Sequence, residues 1–475
     1  MNILLSDDSA SLAARLQTLW PNAPDQLVTL SCAVSVAQDA VSAGGSEPRA
    51  TTLDLLHEPS HQKELAATIA DALGQALLNR GFVQQAKALI EQAFEIRRSF
   101  LGPDHPATAS SLNSKARLAR NEGALETAEQ HSRAALAINS RVFGARSFPA
   151  AQTLNELARI QLQRSELATA ETSAREALDT VEGLHLETKD LLLSRLLDTL
   201  ARVHQIRGEY GQAAELYTRA LALDLRQVGE THPEYLTHLA NFATVKEAQG
   251  NLHEAATAYG KLIAAYEQIG LPQHPNRIDA ESNLAAALLA MGKHDDAKSH
   301  VDTALLLGKR VRGEQHYLVA KDHVLRGRYF FERAERDAAK ANEDFDTALR
   351  IYEGDDEHPA TLSPIHRHVA EALTWKGRVL LEIRHDSVRP EAVLRRAISI
   401  WNANLGAESV PSAIASSYLG RKLYLDDPSN PEARRLLAGA YCVIAPARGA
   451  DSDIGTTVRQ WLDEAAESSP PDPCG

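Results

Sequence analysis

The sequence predicts an all-α protein in which eight or nine pairs of helices stack one on the next. Two observations indicate this fold class: a His-Pro dipeptide and a glycine each recur with a common period along most of the chain. Composition is a third observation in favour of this fold class, because aromatic residues make up only 5% of the chain while hydrophobic residues make up 44%. Ala and Leu carry that apolar content, which favours closely packed helices over strands.

The dipeptide marks the start of each repeating unit. Proline suits the first turn of a helix, where its missing N–H is not needed. The histidine before it is interpreted as a group that caps or packs against the helix start. Successive positions are 42 or 43 residues apart, or twice 42, in the series His105-Pro106, Phe148-Pro149, His232-Pro233, His274-Pro275, His316-Tyr317 and His358-Pro359.

The glycine marks a tight turn inside each unit, since glycine permits a left-handed backbone. The same period of 42 or 43 residues relates Gly81, Gly123, Ser165, Gly208, Gly250 and Gly292. Each unit is therefore predicted to hold a first helix (helix A), a turn, a second helix (helix B) and a loop. One such pair cannot bury its apolar face alone, so neighbouring pairs must stack.

These features resemble a known family. The segment GEYGQAAELYTRALALDLRQVGETHPEYLTHLANFA, residues 208–243, resembles a tetratricopeptide repeat of the long, 42-residue, kinesin-light-chain-like type. The resemblance is strong over residues 65–352 and weaker in two later pairs, at 360–405 and 411–447. It implies a right-handed helical solenoid that binds proteins or peptides.

The chain is predicted to have four parts. Residues 1–60 form a helical or irregular segment that caps the solenoid or fills its groove, and residues 61–357 hold the regular repeats. Degenerate repeats follow at 358–450, and residues 451–475 form a capping helix and a disordered tail.

The family resemblance also implies where a partner binds, because extended peptides lie in the concave groove lined by the A helices. Asparagine there can pair with a peptide backbone through both its donor and its acceptor. Arginine on the same face would bind carboxylates. The aligned groove residues are Asn113, Arg117, Arg120, Asn155, Arg159, Arg195, Arg202, Asn241, Asn283 and Arg328.

Two interpretations of the arginines remain open. In the first, Arg117, Arg159 and Arg202 line a groove for an acidic peptide segment. In the second, these arginines form ion pairs within the protein, with Glu156, Asp198 and other local acids.

Composition argues against several other classes of function. The net charge of −13 does not suit a nucleic-acid-binding surface. The longest apolar stretches are far shorter than the ~20 residues of a membrane span, and the N-terminus lacks the basic region of a secretory signal. The chain has 3 cysteines without CxxC spacing, so neither a disulfide nor a zinc site is expected and a reduced, cytoplasmic protein is predicted.

Catalytic motifs are missing from the sequence. It has no phosphate-binding loop of the GxxxxGK[ST] type and no GxSxG nucleophile elbow. The histidines of HDDAKSH, residues 294–300, are six apart and do not share a helix face. No cofactor, no metal and no enzymatic activity are therefore expected.

The sequence thus predicts a scaffold or adaptor that binds a peptide or partner segment in its groove. A regulatory sensor, in which a peptide ligand changes the pitch of the solenoid, is the alternative. An enzyme with an unrecognised site is the third class.

Overall fold

A computed structural model describes residues 60–79, 82–186, 189–382, 390–450, 452–465 and 474 of the chain. The predicted N-terminal segment, residues 1–60, therefore lies outside the described residues except for its last residue. Within these ranges the structure is all-α, with nineteen helices and no strand. The helices form nine consecutive pairs followed by a single helix, which confirms the predicted fold class.

The helices are numbered in chain order. Odd numbers from α1 to α17 are A helices and even numbers are B helices. Their bounds are α1 Ser60–Asn79, α2 Val83–Leu101, α3 Pro106–Asn121, α4 Leu125–Phe143, α5 Phe148–Gln163, α6 Leu167–Glu182, α7 Asp190–Ile206, α8 Tyr210–Gln227, α9 Pro233–Ala248, α10 Leu252–Gln268, α11 Pro275–Ala290, α12 His294–Arg312, α13 Tyr317–Glu332, α14 Ala338–Glu353, α15 Arg367–Glu382, α16 Pro390–Leu405, α17 Val410–Asp426, α18 Pro431–Arg448 and α19 Asp453–Ala465.

The chain divides into two compact units, unit 1 ending at Gly229 and unit 2 beginning at Glu230. Inside each unit, every helix packs against the next one along the chain. In unit 1 the A helices α1, α3, α5 and α7 also contact one another in succession, as α11, α13, α15 and α17 do in unit 2. Side chains of successive A helices are thereby brought side by side.

The turns that follow α3, α5, α7, α9 and α11 have the left-handed backbone that the glycine pattern predicted. Gly123, Gly208 and Gly250 all have φ of 79°. Ser165 occupies the same position in its repeat with φ of 62°, and it is the only non-glycine residue with positive φ in the described part of the chain. The left-handed turn is therefore imposed by the repeat even where the side chain disfavours it.

Histidine caps the A helices, as the sequence predicted. Nδ1 of His105 accepts a hydrogen bond from the backbone N–H of Ala107 at 3.1 Å. The same bond, between residues two apart, caps the A helices that follow His232, His274 and His316, at 3.2 Å in each case. Each ring therefore satisfies one N–H that a helix start leaves without an intrahelical partner.

The prediction is wrong for His358, which does not begin a helix. Helix α15 begins instead at Arg367, and Nδ1 of His366 accepts the capping hydrogen bond from the N–H of His368 at 3.2 Å. His366 lies 50 residues after His316, so this unit is eight residues longer than the period of 42. The extra residues form a loop in which Oδ1 of Asp355 accepts a hydrogen bond from the N–H of His358.

Small and aromatic residues at equivalent repeat positions fill the core of the described repeats. The repeat-equivalent alanines of the B helices have no exposed surface, namely Ala86, Ala128, Ala170, Ala213, Ala255 and Ala297. Tyr217 and Tyr259, which occupy equivalent positions in α8 and α10, are almost completely buried. These contacts hold each B helix against its own A helix and the next one.

The cysteines differ from the prediction. Cys442 of α18 forms a disulfide with Cys474, with 5.4 Å between their Cα atoms. The expectation that no disulfide forms is therefore wrong for this pair, and Cys442 itself is half-buried. A separation of 32 residues carries no pairing signal in the sequence, and the pairing depends on how α19 packs against α18. None of the described helices is both long and apolar enough to cross a membrane.

Candidate partner-binding surfaces on the A helices

Five predicted arginines of unit 1 lie on three successive A helices: Arg117 and Arg120 on α3, Arg159 on α5, and Arg195 and Arg202 on α7. They are called the arginine strip below. Nη1 of Arg117 donates a hydrogen bond to Oε1 of Gln75 on α1 at 2.8 Å. Gln75 precedes Arg117 by one full repeat and thus occupies the same repeat position, although sequence reasoning did not select it.

The structure brings four members of the arginine strip together. Burial lowers the pKa of Arg117, and the positive charges of Arg159, Arg195 and Arg120 lower it further. The carboxylate of Glu156 acts in the opposite direction. The fifth member, Arg202, lies near the buried hydroxyl of Tyr217, whose pKa is raised by burial. Because arginine stays protonated in proteins, this part of unit 1 concentrates positive charge.

Members of the strip differ in their contacts. Nε of Arg120 donates to Oε1 of Glu156 at 2.7 Å, and the side chains of this pair are only 11% and 8% exposed. The intramolecular interpretation therefore applies to Arg120. Arg159 is half-buried, and its buried Nε has no hydrogen-bond partner among the described residues. Arg159 therefore has one N–H group that no described residue satisfies.

The asparagines of unit 1 connect neighbouring A helices. Nδ2 of Asn113 donates to Oγ1 of Thr153 on α5 at 2.8 Å. Oδ1 of Asn155 accepts from Oγ1 of Thr199 on α7 at 2.8 Å. Oδ1 of Asn113 is buried without a hydrogen-bond partner in the described chain. These amides thus position the A helices, and the predicted contact with a peptide backbone stays a prediction.

In unit 2, Asn283 has a similar role between repeats. Its Oδ1 accepts a hydrogen bond from Nζ of Lys321 on α13 at 3.0 Å. Asn241 lies half-buried on α9. Arg328 of α13 stacks on the ring of Trp375 with 4.9 Å to its centroid. These side chains of the second unit form a separate set from the arginine strip.

Sequence reasoning missed two arginines in unit 2, Arg378 and Arg421. Arg378 follows the capping His366 at the same spacing at which Arg328 follows the capping His316. Arg421 follows Ser409, the residue immediately before α17, at that spacing too. Both missed arginines therefore occupy the repeat position of Arg328. The eight-residue extension before α15 hid this register from an alignment with a fixed period.

Metal chemistry finds no support in the described residues, which contain no cluster of three or more His, Cys, Asp or Glu side chains that could hold a metal ion. In the HDDAKSH segment, Nδ1 of His300 pairs with Oε2 of Glu281 at 2.6 Å, which accounts for that histidine as an inter-helix contact. The absence of enzymatic activity stays a prediction.

Comparison with known proteins identifies the repeats. The family model for the tetratricopeptide repeat matches residues 65–131, 192–268 and 276–354. The chain is a tetratricopeptide-repeat protein. Its repeats keep the 42-residue period of the kinesin-light-chain-like type, so the family resemblance seen in the sequence is confirmed.

A curated relative of this tetratricopeptide-repeat protein is human tetratricopeptide repeat protein 19, mitochondrial, which is 32% identical over 124 residues. The match covers 26% of this chain and 32% of the relative. The rat and mouse proteins of the same name match 33% of their own length. The chain thus spans about a third of the length of these curated relatives.

Two solved structures resemble the fold. A signal-transduction ATPase with a tetratricopeptide repeat sensor, PH0952 from Pyrococcus horikoshii, has a TM-score of 0.54 and 12% identity, covering 77% of this chain and 54% of that protein. The apo form of the quorum sensor NprR from B. thuringiensis has a TM-score of 0.52 and 11% identity, covering 83% of this chain and all of that one. At these identities the likeness concerns the fold alone.

Proposed function

We propose that this tetratricopeptide-repeat protein is an interaction scaffold that binds an acidic peptide segment of a partner protein on the arginine strip of unit 1. Membership of a family whose repeats generally bind proteins or peptides supports the scaffold role. The choice of an acidic segment is supported by one observation above all. Three other guanidinium groups, those of Arg120, Arg159 and Arg195 on α3, α5 and α7, lie close enough for their charges to act on Arg117.

The electrostatics of the strip favour a carboxylate ligand. Bringing like charges together costs free energy, and the cost is relieved when an anion binds among them. Arginine presents a planar fork of N–H donors that matches the two oxygens of a carboxylate. The whole chain carries a net charge of −13, so the strip is a local exception in an acidic protein and would orient an acidic segment towards it.

Different members of the strip would have different roles. Arg159, which is only half-buried, would bind a carboxylate directly through its terminal N–H groups. Arg117, whose Nη1 donates to Gln75, would add positive charge beside it. Arg120, held by Glu156, would contribute charge and support. The asparagines that join the A helices would keep these arginines in register.

The experiment is a fluorescence-anisotropy titration with a fluorescein-labelled, glutamate-rich peptide. One variant replaces Arg117, Arg159 and Arg202 with Gln. The matched control replaces Arg133, Arg175 and Arg219 with Gln, three arginines on the B helices of the same unit whose side chains are more than half exposed. Both variants lose the same charge.

We expect the strip variant to bind the peptide at least about tenfold more weakly than the wild type, since each arginine–carboxylate contact contributes ~1.5–3 kcal/mol. The control should bind within about twofold of the wild type, because exposed charges act only through screened, long-range attraction. Equal affinity of the two variants would refute the proposed site. A serine-rich peptide of the same length should not bind.

The sensor alternative predicts more than binding. A ligand that favours one conformation would change the dimensions of the solenoid, which small-angle scattering of the peptide-saturated protein measures. Unchanged dimensions at saturation would leave the scaffold as the function.

A cytoplasmic location is also a proposal, and it now conflicts with one feature. Persistent disulfides are characteristic of oxidising compartments, and Cys442 is paired with Cys474. Labelling of free thiols at Cys442 and Cys474 with an alkylating reagent in freshly lysed cells would distinguish the two locations. A free thiol pair would favour the cytoplasm, whereas a protected pair would favour an oxidising compartment.

A further inference from the structure

We propose that unit 2 binds a second copy of this chain through one edge of its helix stack, where the loops that follow the B helices lie. The two copies would be related by a two-fold axis, so that the basic end of α12 in one copy faces the acidic loop before α15 in the other. This contact goes beyond the function proposed for unit 1 and depends on none of the residues there.

Apolar side chains are concentrated at this edge. The described part of unit 2 exposes eight large hydrophobic side chains, and six of them lie between the last turn of a B helix and the first residue of the next A helix. The other two, Leu306 and Leu425, lie elsewhere. Single exposed apolar residues are normal on a protein surface, whereas a set in one place marks an interaction site. The six, called the apolar edge below, are Ile269, Leu271, Val311, Tyr317, Ile365 and Leu405.

Stacking of the repeats brings the members of the apolar edge together. The A helices α11, α13, α15 and α17 contact one another in succession, so the loops that lead into them are neighbours at one end of the stack. Nη2 of Arg312, in the last turn of α12, donates to the backbone oxygen of Pro275 at the start of α11 at 3.0 Å. Nδ2 of Asn404, beside Leu405, donates to the backbone oxygen of Ile365 at 2.7 Å. Each bond joins the start of an A helix to the end of its own B helix.

The apolar edge is separate from the inner face of the A helices. Tyr317 is the first residue of α13, whereas Arg328 lies three turns further along the same helix, at a distance of about 16 Å for 1.5 Å per residue. A second copy seated on the edge therefore does not cover Arg328.

The loop before α15 makes part of this edge acidic. It carries Asp355, Asp356 and Glu357 and contains no Lys or Arg. Oδ1 of Asp355 accepts hydrogen bonds from the N–H groups of Glu357 at 3.0 Å and His358 at 2.8 Å, which order the loop. The same loop holds the eight residues that exceed the repeat period and ends with the exposed Ile365. Its charge and its apolar tip are therefore features of this chain rather than of the repeat.

The end of α12 makes a neighbouring part of the edge basic. Its last turn carries Lys309, Arg310 and Arg312. Arg312 is held by an ion pair with Asp279 at 2.8 Å, while Arg310 is exposed and Lys309 is half-buried. Glu314 in the following loop offsets part of this charge, and the end of α12 stays net positive.

These two charged parts make the apolar edge complementary to itself. A two-fold axis exchanges two positions, so that any contact between them is made twice in the dimer. With the axis between the end of α12 and the loop before α15, Arg310 of each copy faces Glu357 of the other. Val311 and Ile365, which adjoin these charges, then face each other and leave water. An axis through either charged part alone would place like charges together, which disfavours that arrangement.

The first test is sedimentation equilibrium of the full chain over a range of concentrations. We expect a species of twice the mass of one chain to appear as the concentration rises. A wild type that stays monomeric at about 200 µM overturns the proposal and leaves the edge to a different partner, because even a weak specific dimer with a Kd of ~10 µM forms there. Masses that grow beyond the dimer also overturn it, since a two-fold contact is closed.

The second test removes apolar side chains from the edge. We expect Ile365→Ser with Leu405→Ser to weaken association at least about a hundredfold, because each side chain is lost twice in a two-fold dimer. The matched control, Leu306→Ser with Leu425→Ser, removes two similarly exposed side chains that lie off the edge, and it should associate within about twofold of the wild type. Equal association of the two variants overturns the proposal. Both should bind the glutamate-rich peptide as the wild type does, so failure here leaves the function proposed for unit 1 standing.

The third test reverses the charges and guards against a misleading loss of folding. One variant carries Lys309→Glu with Arg310→Glu, a second carries Asp356→Lys with Glu357→Lys, and a third carries all four changes. The first two place like charges at the contact, so each should be monomeric with the helical circular dichroism of the wild type. The third exchanges the two signs and should dimerise again, as should an equimolar mixture of the first two. Wild-type association of either single-sign variant, or no recovery in the third, overturns the proposed two-fold contact.

Discussion

Nε of Arg120 on α3 lies 2.7 Å from Oε1 of Glu156 on α5, and water reaches little of either side chain. This ion pair links two successive repeats inside a region rich in arginine. Glu156 is also the carboxylate that opposes the surrounding arginines in their effect on Arg117. Its charge therefore stabilises unit 1 and at the same time competes with an acidic ligand.

The Glu156→Gln variant should separate these two effects. We expect a loss of about 2–3 kcal/mol in the free energy of unfolding, because a largely buried arginine loses its charged partner. We also expect tighter binding of the glutamate-rich peptide, because the strip loses its internal anion. Urea unfolding and anisotropy titration measure the two quantities. The control is Glu95→Gln, at an exposed site on α2. Weaker peptide binding by Glu156→Gln would contradict the proposal that the arginine strip binds the acidic peptide.

Ser165 offers a stabilising substitution. Its φ of 62° lies in the left-handed region, where glycine occupies the other described turns of this type. A residue with a side chain is strained there by about 1 kcal/mol or more. We expect Ser165→Gly to raise the free energy of unfolding by up to about 1 kcal/mol, with no change in peptide affinity. The converse change Gly123→Ser should lower the free energy of unfolding. If the melting temperatures of both variants shifted in the same direction, backbone strain at residue 165 would be excluded as the cause.

Asp322 should make unit 2 less stable as the pH rises. Burial raises its pKa to about 7. Oγ of Ser282 donates to Oδ1 at 2.5 Å, while Oδ2 has no hydrogen-bond partner in the described structure. Since the pKa in the folded protein exceeds that of the unfolded chain, the folded state holds the extra proton between about pH 4 and 7 and stability falls across that interval.

The comparison of wild type with Asp322→Asn isolates this effect. The wild type should lose on the order of 4 kcal/mol relative to the variant between about pH 4 and 7, and the difference should become constant above that range. Urea unfolding at a series of pH values gives both curves. Parallel curves would mean that Asp322 is ionised in the folded protein throughout.

The disulfide should stabilise the C-terminal end of unit 2. It closes a chain segment that includes α19, since Cys442 and Cys474 are 32 residues apart, and closing a loop of that length in the unfolded chain contributes about 3.7 kcal/mol to stability. We expect Cys474→Ser to increase hydrogen exchange in α19 while that of α9 and α11 is unchanged. The reduced wild type should match the variant, and exchange that is the same with and without the bond would show that packing alone holds α19.

The sequence predicted the parts of this structure that repeat. Ser165 was recognised as a turn residue, and His105 as a cap, because their roles depend on chain positions within one repeat. Arg378 was missed because eight extra residues shift the register before α15. The partner of Asn155 was missed because it lies on the next A helix, where side-chain direction decides which groups meet. Cys474 was missed for the same reason, since pairing depends on contacts far along the chain.

The order of packing has a consequence for how the protein folds and how it tolerates change. Because each helix in a unit contacts chiefly its neighbours along the chain, the contacts join residues that are close in sequence. Chains with such low contact order fold fast, and structure can nucleate at several places and spread outward. A destabilising substitution should therefore act locally. A cavity in α4 would destabilise the adjoining helix pairs, while a remote pair such as α17 and α18 would keep its protection from hydrogen exchange.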